Sequence, residues 1–463
     1  MQTSSLVSRQ KDTIVALSSA PGVGAIALIR LSGSQAIDLV QQIFKGKDLR
    51  HQPTNTVHFG TLHQLDGQLL DEVVVSLFRA PKSYTREDVV EIGCHGSPFI
   101  VQQILQTLLD LGARTADPGE FTQRAFLNGS FDLAQAEAIA DLIAADSAAA
   151  HRVALFQLRG GLSKQIKLLR EQIIQFAALL ELELDFAEED VEFANRSAFK
   201  LQLTEIQVFI EKLLGSFRLG NALKKGIPVA IVGQPNAGKS TLLNALLQEE
   251  KAIVTDIPGT TRDAIEDECV IQGIRFRFID TAGLRETTDP VEILGIARTK
   301  QKMIEAALII YLFDLQLFTV ESLTEVLTEL QSYQVPVLLV GNKCDQLDAQ
   351  TWLPFQALDS FVPIAALTGF NLPLLSQRLL EVVQADQLDQ ANAVVLSNAR
   401  HYESLQNTLQ ALKRVQVSLE ANSFTELITS DLREAIHHLS AIIGEVTQTD
   451  LLSFIFSKFC IGK

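Results

Sequence analysis

The sequence predicts a multi-domain α/β fold. It comprises an N-terminal α+β domain, a discontinuous all-α helical domain, and an inserted phosphate-loop domain whose mostly parallel sheet carries helices on both faces. Three observations predict this. The 463 residues suffice for about three domains at roughly 100–200 residues each. The texture changes from mixed strand and helix to helix alone at Asp132, returns to apolar strands at Ile227, and becomes helical again after about Ala385. A glycine-rich run, Gly233 to Ser240, lies between an apolar strand and a helical run, as an α/β phosphate loop does.

Within residues 13–127, TIVAL, GAIALIRLSG, DEVVVSLF and DVVEIGCHG are Val- and Ile-rich runs bounded by Gly, Pro or Ser, and read as strands. SQAIDLVQQIF and PFIVQQILQTLLDLG carry apolar residues at helical spacing. From Asp132 to Leu158, from Gly161 to Phe186 and near Lys200 to Leu219 the chain reads as long helices, with no proline from Glu120 to Ile227. The acidic run Asp185 to Glu192 reads as a solvated loop or helix end. IPVAIVG, IRFRFID, ALIIYLFDL, PVLLVGNK and FVPIAAL are near-continuous apolar runs, most of them separated by helical stretches, which is the pattern of a buried parallel sheet. Two helical stretches flanking one α/β module imply an insertion, since inserted domains have neighbouring termini. The expected boundaries are 1–127, 128–225, 226–385 and 386–463, the second and fourth forming one helical domain.

Composition narrows the function. Apolar residues at 47% and charged residues at 20% exclude a largely disordered chain. A formal net charge of −16 and pI near 5.0 argue against binding nucleic acid mainly by phosphate neutralisation; an RNA substrate would need a local basic patch or a basic partner. Cys94, Cys269, Cys344 and Cys460 are far apart with no CxxC, which gives no support to a zinc site or disulfide framework and fits reduced thiols. Neither a signal peptide nor a membrane span is expected, and the location expected is cytoplasmic.

Gly233-Gln-Pro-Asn-Ala-Gly238-Lys239-Ser240 fits the phosphate-loop pattern. Its glycines let backbone N–H groups wrap phosphates, and the following helix N-terminus adds partial positive charge. Asn236, Ala237, Gly238, Lys239, Ser240 and Thr241 are the candidate phosphate contacts, Lys239 reaching the β- and γ-phosphates and Ser240 ligating Mg2+. Asp280, Thr281, Ala282 and Gly283 follow the next strong strand, where Asp280 holds Mg2+ through water and Gly283 N–H meets the γ-phosphate. Asn342, Lys343, Cys344 and Asp345 end the strand PVLLVG. There the Asp345 carboxylate can accept from both N1–H and the 2-amino group of guanine; adenine offers neither donor, and its binding would leave a carboxylate unpaired. Asn342 to Asp345 resemble the guanine-specificity motif of the translation-factor class of GTPases, and Ala365, Ala366 and Leu367 stand where that class carries Ser-Ala, so a side-chain bond is lost while a backbone contact to guanine survives.

The water-orienting glutamine that Ras-like GTPases carry after the DTAG glycine is replaced by Leu284. Asn236 and the segment Thr255, Asp256, Ile257, Pro258, Gly259, Thr260 and Thr261, in the switch I position, can together form an oxygen cage for a monovalent cation, which would stabilise charge as an arginine finger does. Thr261 completes the Mg2+ shell. Glu286 and Glu292 are both open as water-orienting acids on the residues alone.

Taken together, DTIVA, DPGEFTQRAFLNG (Asp117 to Gly129), DLAQAEAIADLI (Asp132 to Ile143), GQPNAGKST, TDIPGTTRD, DTAGLRE and the terminal Phe459-Cys-Ile-Gly-Lys463 make the chain resemble the MnmE (TrmE) family of tRNA-modification GTPases over nearly its whole length. The resemblance implies a folate-binding N-terminal domain that forms a homodimer, a helical domain carrying the C-terminal motif, and a G domain that pairs across K+ during hydrolysis. It implies a flavoprotein partner, MnmG, carrying FAD, in a heterotetramer or larger assembly that holds tRNA jointly. The implied product is an aminomethyl or carboxymethylaminomethyl group at C5 of the wobble uridine, its carbon drawn from 5-formyltetrahydrofolate or a related tetrahydrofolate. It further implies K+ ligands at the Asn236 side chain and the carbonyls of Thr255, Ile257 and Thr260, a water-orienting role for Glu292, and folate contacts at Arg30, Glu91 and Lys463. The family often has lysine where this chain has Ser130, so the folate contact at that position is not ionic. Cys460 is open between a nucleophilic or redox role and a small buried residue, while His95 is read as structural or backbone-anchoring. Two alternatives are a ribosome-assembly GTPase switch and a free-standing folate-dependent transferase with a regulatory G domain.

Overall fold

The computed structural model describes residues 12–185, 196–249, 267–279, 303–382, 394–421, 424–446, 452, 455–457 and 459–462. They form two compact units. One comprises the described residues within Met1–Ala140, Gln157–Val191 and Leu432–Lys463, the other those within Asp141–Phe156 and Glu192–Asp431.

The first unit is built on a seven-stranded sheet of β1 (Ile14–Leu17), β2 (Ile26–Ser32), β3 (Phe44–Lys45), β4 (Thr56–His63), β5 (Leu69–Phe78), β6 (Val89–His95) and β7 (Arg114–Thr115), in the order β3-β4-β5-β6-β2-β1-β7. Every pairing is antiparallel except β1 with β7. Helices α1 (Ala36–Ile43) and α2 (Pro98–Asp110) cover one face. Ile37, Val40, Val101, Ile104 and Leu108 recur at helical spacing and pack on Ile29, Leu31, Val75 and Ile92. Pro98 starts α2 where a missing N–H costs nothing. Helix α3 (Glu120–Leu127) approaches the opposite face, its Phe121 packed on Ile14, Ala16 and Ala116.

Strand β4 was not among the expected strands, and its burial explains why. Val57 and Phe59 point outward while His58, Gly60 and Leu62 are buried, so the usual apolar-in alternation is inverted. The helix expected over Asp132 to Leu158 is in fact two, α4 (Leu133–Ala144) and α5 (Ala148–Leu158). Ser147 starts the second: its Oγ accepts from Ala150 N at 3.2 Å and its carbonyl from His151 N at 2.9 Å. Beyond α5 runs α6 (Gly161–Asp185). Arg170 donates to Ser440 at 2.8 Å and pairs with Glu445 at 2.6 Å, tying α6 to the end of the helix Thr425–Ile443. Leu133, Ala136, Leu452, Ile455, Phe456 and Phe459 form an apolar cluster that anchors the C-terminal segment.

The second unit holds β8 (Ile227–Val232), β9 (Asp267–Ile271), β10 (Ile274–Ile279), β11 (Leu308–Asp314), β12 (Val337–Asn342) and β13 (Phe361–Pro363), ordered β13-β12-β11-β8-β10-β9. All neighbours are parallel except the β9–β10 hairpin. The expected helices lie on both faces. Leu242 and Leu246 of α8 (Lys239–Glu249) and Leu375 and Leu379 of α10 (Leu372–Val382) share one core with Val229, Ile310 and Phe276; Leu323 of α9 (Val320–Gln331) packs on the other with Phe313 and Leu339. Thr319 and Ser322 close a reciprocal cap at the start of α9. Helix α7 (Arg196–Lys225) is longer than the expected run, and pairs with α11 (Ala399–Glu420) through Lys413–Glu211 at 2.9 Å and through Phe217 and Tyr402, ring centroids 4.5 Å apart. Residues 394–398 are not helical, so the second helical stretch begins at Ala399 rather than near Ala385 among the described residues. The β9–β10 turn grips the α4–α5 joint: Ala149 N donates to Gly273 O at 3.1 Å, and Arg275 pairs with both Asp146 and Glu268. No described helix is long and apolar enough to cross a membrane.

Candidate functional site

The carboxyl edge of a parallel sheet is where backbone N–H groups, loop ends and helix N-termini converge, so ligands bind there in open α/β folds. At this edge β8 runs into the loop Gly233–Gly238 and α8 begins at Lys239. Gly238 has φ +98°, and a Cβ on it would lie 2.3 Å from Asn342 Nδ2. The position therefore admits only glycine, for backbone conformation and for space alike. Asn236 adopts φ +62°, is exposed, and makes no side-chain hydrogen bond among the described residues. Lys239 folds back over the loop, its Nζ donating to the carbonyls of Gly233 at 2.8 Å and Gln234 at 2.9 Å. Burial holds its ammonium below the ordinary lysine value, a cost that a phosphate arriving in the loop would reverse. Ser240 and Thr241 are exposed at the first turn of α8.

Asn342 joins this loop to the far side of the edge. Its Nδ2 donates to Ala237 O at 2.7 Å and its Oδ1 accepts from Ala366 N at 3.0 Å. One buried side chain thus fixes three loops, and both of its ends are satisfied. Cys344 is buried, with its thiol pushed up by desolvation, and its N–H donates to Ile364 O at 3.1 Å. Asp345 is exposed beside it. Ala365 and Ala366 are buried and Leu367 is exposed. The loop chemistry expected from Asn236 to Thr241, Asn342 to Asp345 and Ala365 to Leu367 therefore meets at one edge. Thr255, Asp256, Ile257, Pro258, Gly259, Thr260, Thr261, Asp280, Thr281, Ala282, Gly283, Leu284, Glu286, Glu292 and Lys463 lie outside the described residues. Sequence reasoning missed Asp314, which ends β11 at the same edge and pairs with Lys343 at 2.6 Å. The available signal was an acidic residue closing a buried parallel strand.

The first unit gathers a second cluster. Arg30 and Glu91 are direct cross-strand partners on β2 and β6 and bond at 2.8 Å. The Arg30 guanidinium also donates to Gly462 O at 3.2 Å, and lies 5.5 Å and 5.7 Å from the ring centroids of Tyr84 and Phe121. Glu91 keeps one carboxylate oxygen without a hydrogen bond among the described residues, an acceptor that suits a ring N–H and amino group. Ser130 donates to Tyr84 O at 3.2 Å and lines a cavity of about 590 Å³ with Asp132 and Lys167. The C-terminal motif docks on this cluster. Gly462, at φ +93°, accepts from Ser18 at 3.0 Å, and a Cβ on it would lie 2.3 Å from Leu17 O. Phe459 is buried and Cys460 is exposed, its carbonyl accepting from Gly119 N at 3.4 Å. Beneath lies an ion network. Arg124, almost fully buried, pairs with Glu87 at 3.2 Å and Glu120 at 3.0 Å, and Arg114 also pairs with Glu120. Burial alone would raise Glu120, but the bonds from Arg114 and Asp117 N together with the Arg124 charge hold it below the usual carboxylate value. His95 is anchored through its N–H and Nδ1 to buried Asp71 at 2.8 and 2.7 Å, the anchoring role expected of it.

Two family models match the chain: the GTP-binding protein TrmE N-terminus over residues 13–130 and the MnmE helical domain over residues 133–460. Relatives match end to end. A tRNA modification GTPase MnmE from Cytophaga hutchinsonii is 53% identical over 99% of this chain and 99% of its own length. Those of Christiangramia forsetii and Flavobacterium johnsoniae are 49% and 50% identical, each over 98% of this chain and 99% of their own. The chain belongs to the MnmE family. Membership reaches from the strands of the first unit to the last helices, and it leaves the ribosome-assembly alternative without support. The Arg30–Glu91 cluster falls within the match to the TrmE N-terminus, and the helices that flank the phosphate loop fall within the match to the MnmE helical domain.

Proposed function

We propose that this chain hydrolyses GTP and, with the flavoprotein MnmG, couples that cycle to adding an aminomethyl or carboxymethylaminomethyl group at C5 of the wobble uridine of tRNA. The observation that carries the reading is Asn342, which ties the phosphate loop to the guanine-side loops in a chain of the MnmE family. Lys239 exchanges its two loop carbonyls for the β- and γ-phosphates. Ser240 and Thr261 hold Mg2+, and the Asn236 amide with the carbonyls of Thr255, Ile257 and Thr260 holds K+. Bound, the two cations draw off the charge that develops between the β- and γ-phosphates. Glu292 orients the attacking water, and Asp345 selects guanine.

In the first unit, Arg30, Glu91 and Lys463 hold a tetrahydrofolate, 5-formyltetrahydrofolate or a relative, with Ser130 as a neutral contact. Glu91 supplies an acceptor to the pterin and Arg30 a cation held in place by Tyr84 and Phe121. Residues 226–385 act as the inserted switch, 1–127 as the dimerising domain, and 128–225 with 386–463 as the helical domain. The partner brings FAD, tRNA is held jointly, and the complex works in the cytoplasm.

Reconstitution tests the reading: the chain, MnmG, tRNA, a tetrahydrofolate and GTP, followed by mass spectrometry of the wobble nucleoside. Product is expected only with both proteins and GTP, and Lys239→Ala abolishes it. Modification by the chain alone, or undiminished modification with a non-hydrolysable analogue, would contradict it.

A further inference from the structure

We propose that Asp314 is a positioning residue for the guanine base, holding the Lys343 side chain as a preformed wall of the base slot. The inference rests on the guanine-nucleotide reading of Asn342 to Asp345. Asp314 and Asn342 are direct partners at the ends of the parallel strands β11 and β12, so Lys343 begins its turn next to the Asp314 carboxylate. Asp314 is buried, and both its oxygens are engaged: Oδ2 accepts from Lys343 Nζ at 2.6 Å and Oδ1 from Gln316 N at 3.0 Å.

Lys343 sits at φ +64°, ψ +32°, a conformation that long side chains rarely adopt and that persists only where the surroundings over-determine it. Here the surroundings do. The ion pair holds the side chain, the preceding residue Asn342 is itself bonded to Ala237 and Ala366, and Gln316 Nε2 donates to Gln346 Oε1 at 3.0 Å across the same two loops. With its charged end tied down, the four-carbon stem of Lys343 is a fixed apolar strip of the kind a planar base packs against. The rotamer freedom of that lysine is already spent in forming the ion pair, so base binding does not lose it again. Asp345 hangs from the same turn and shares its rigidity.

The test is a cycle on the full chain, measuring GDP affinity by calorimetry for wild type, Asp314→Asn, Lys343→Met and the double variant, with melting temperatures alongside. Asn at 314 keeps an acceptor for Gln316 N, and Met at 343 keeps an apolar stem. Asp314→Asn is expected to weaken GDP about tenfold in the wild-type background and less than about twofold beside Lys343→Met, a coupling of about 1 kcal/mol or more. Equal losses in both backgrounds would mean that Asp314 acts on the fold rather than through Lys343, and would overturn the inference, as would no loss at all. Asp345→Asn separates the two layers, because it should shift preference from GDP to XDP. If that shift occurs and Asp314→Asn is neutral, the inference alone fails. If Asp345→Asn leaves guanine preferred, the guanine reading fails and the inference with it.

Discussion

Gly238 shows how much of the nucleotide site hangs on a single residue. Its left-handed backbone lets the phosphate loop close, and its missing side chain makes room for Asn342 Nδ2, which a Cβ would meet at 2.3 Å. Gly238→Ala therefore strains the backbone and displaces the side chain that links three loops. The expected outcome is a lowered melting temperature of the nucleotide-free protein, from strain of about 1–3 kcal/mol, and nucleotide affinity reduced about tenfold or more as the loop relaxes away from its phosphate-wrapping shape; thermal melts and fluorescence titration with a labelled GDP check the two. This part of the site was legible because its chemistry is contiguous: loop, lysine and hydroxyl lie within eight positions. Asp314 was not legible, because its partner lies 29 residues later and only the strand register brings them together. Arg30 and Glu91 stand 61 residues apart and are in the same position. The residues alone do not select them, whereas the family resemblance did.

Elements differ in how openly the sequence declares them. The strands of the second unit are apolar on both faces, so continuous Val and Ile runs marked β8, β11 and β12 without ambiguity. Strand β4 has an inverted face and the edge strand β9 carries polar residues, and neither declares itself in the sequence. The α4–α5 break was hidden because alanine-rich composition is the same on both sides of Ser147. Helix α3 is more than packing: its Glu120 holds two arginines, one of them buried, beneath the docked C-terminal segment. Because the folded-state value of Glu120 is depressed, its contribution is complete above the ordinary carboxylate range and is lost as pH falls through the folded value. Glu120→Gln is expected to lower the melting temperature at neutral pH, at a cost of about 1–3 kcal/mol for weakening its charged bonds to buried Arg124 and partly exposed Arg114. It should also flatten the acid limb of the stability curve. Calorimetric melts from neutral pH into the acid range measure both; an unchanged acid limb would mean that the network does not report on Glu120.

At the scale of the whole chain, the described part of the candidate nucleotide site lies on one edge of the second unit's sheet. That edge supplies the phosphate loop, the guanine-side turn and Asn236, whose exposed amide is free of hydrogen bonds among the described residues. Strand β10 leads from the α4–α5 joint, which the hairpin grips through Gly273 and Arg275, directly to Asp280. The proposed mechanism requires that a monovalent cation held by Asn236 stabilise charge as an arginine finger does. It is tested most directly by GTP turnover of the purified chain in K+ against Na+ at equal ionic strength, for wild type and Asn236→Ala. Strong stimulation by K+ is expected, and it disappears in Asn236→Ala while GDP binding persists. Equal rates in the two salts, or K+ stimulation that survives the substitution, would contradict that mechanism.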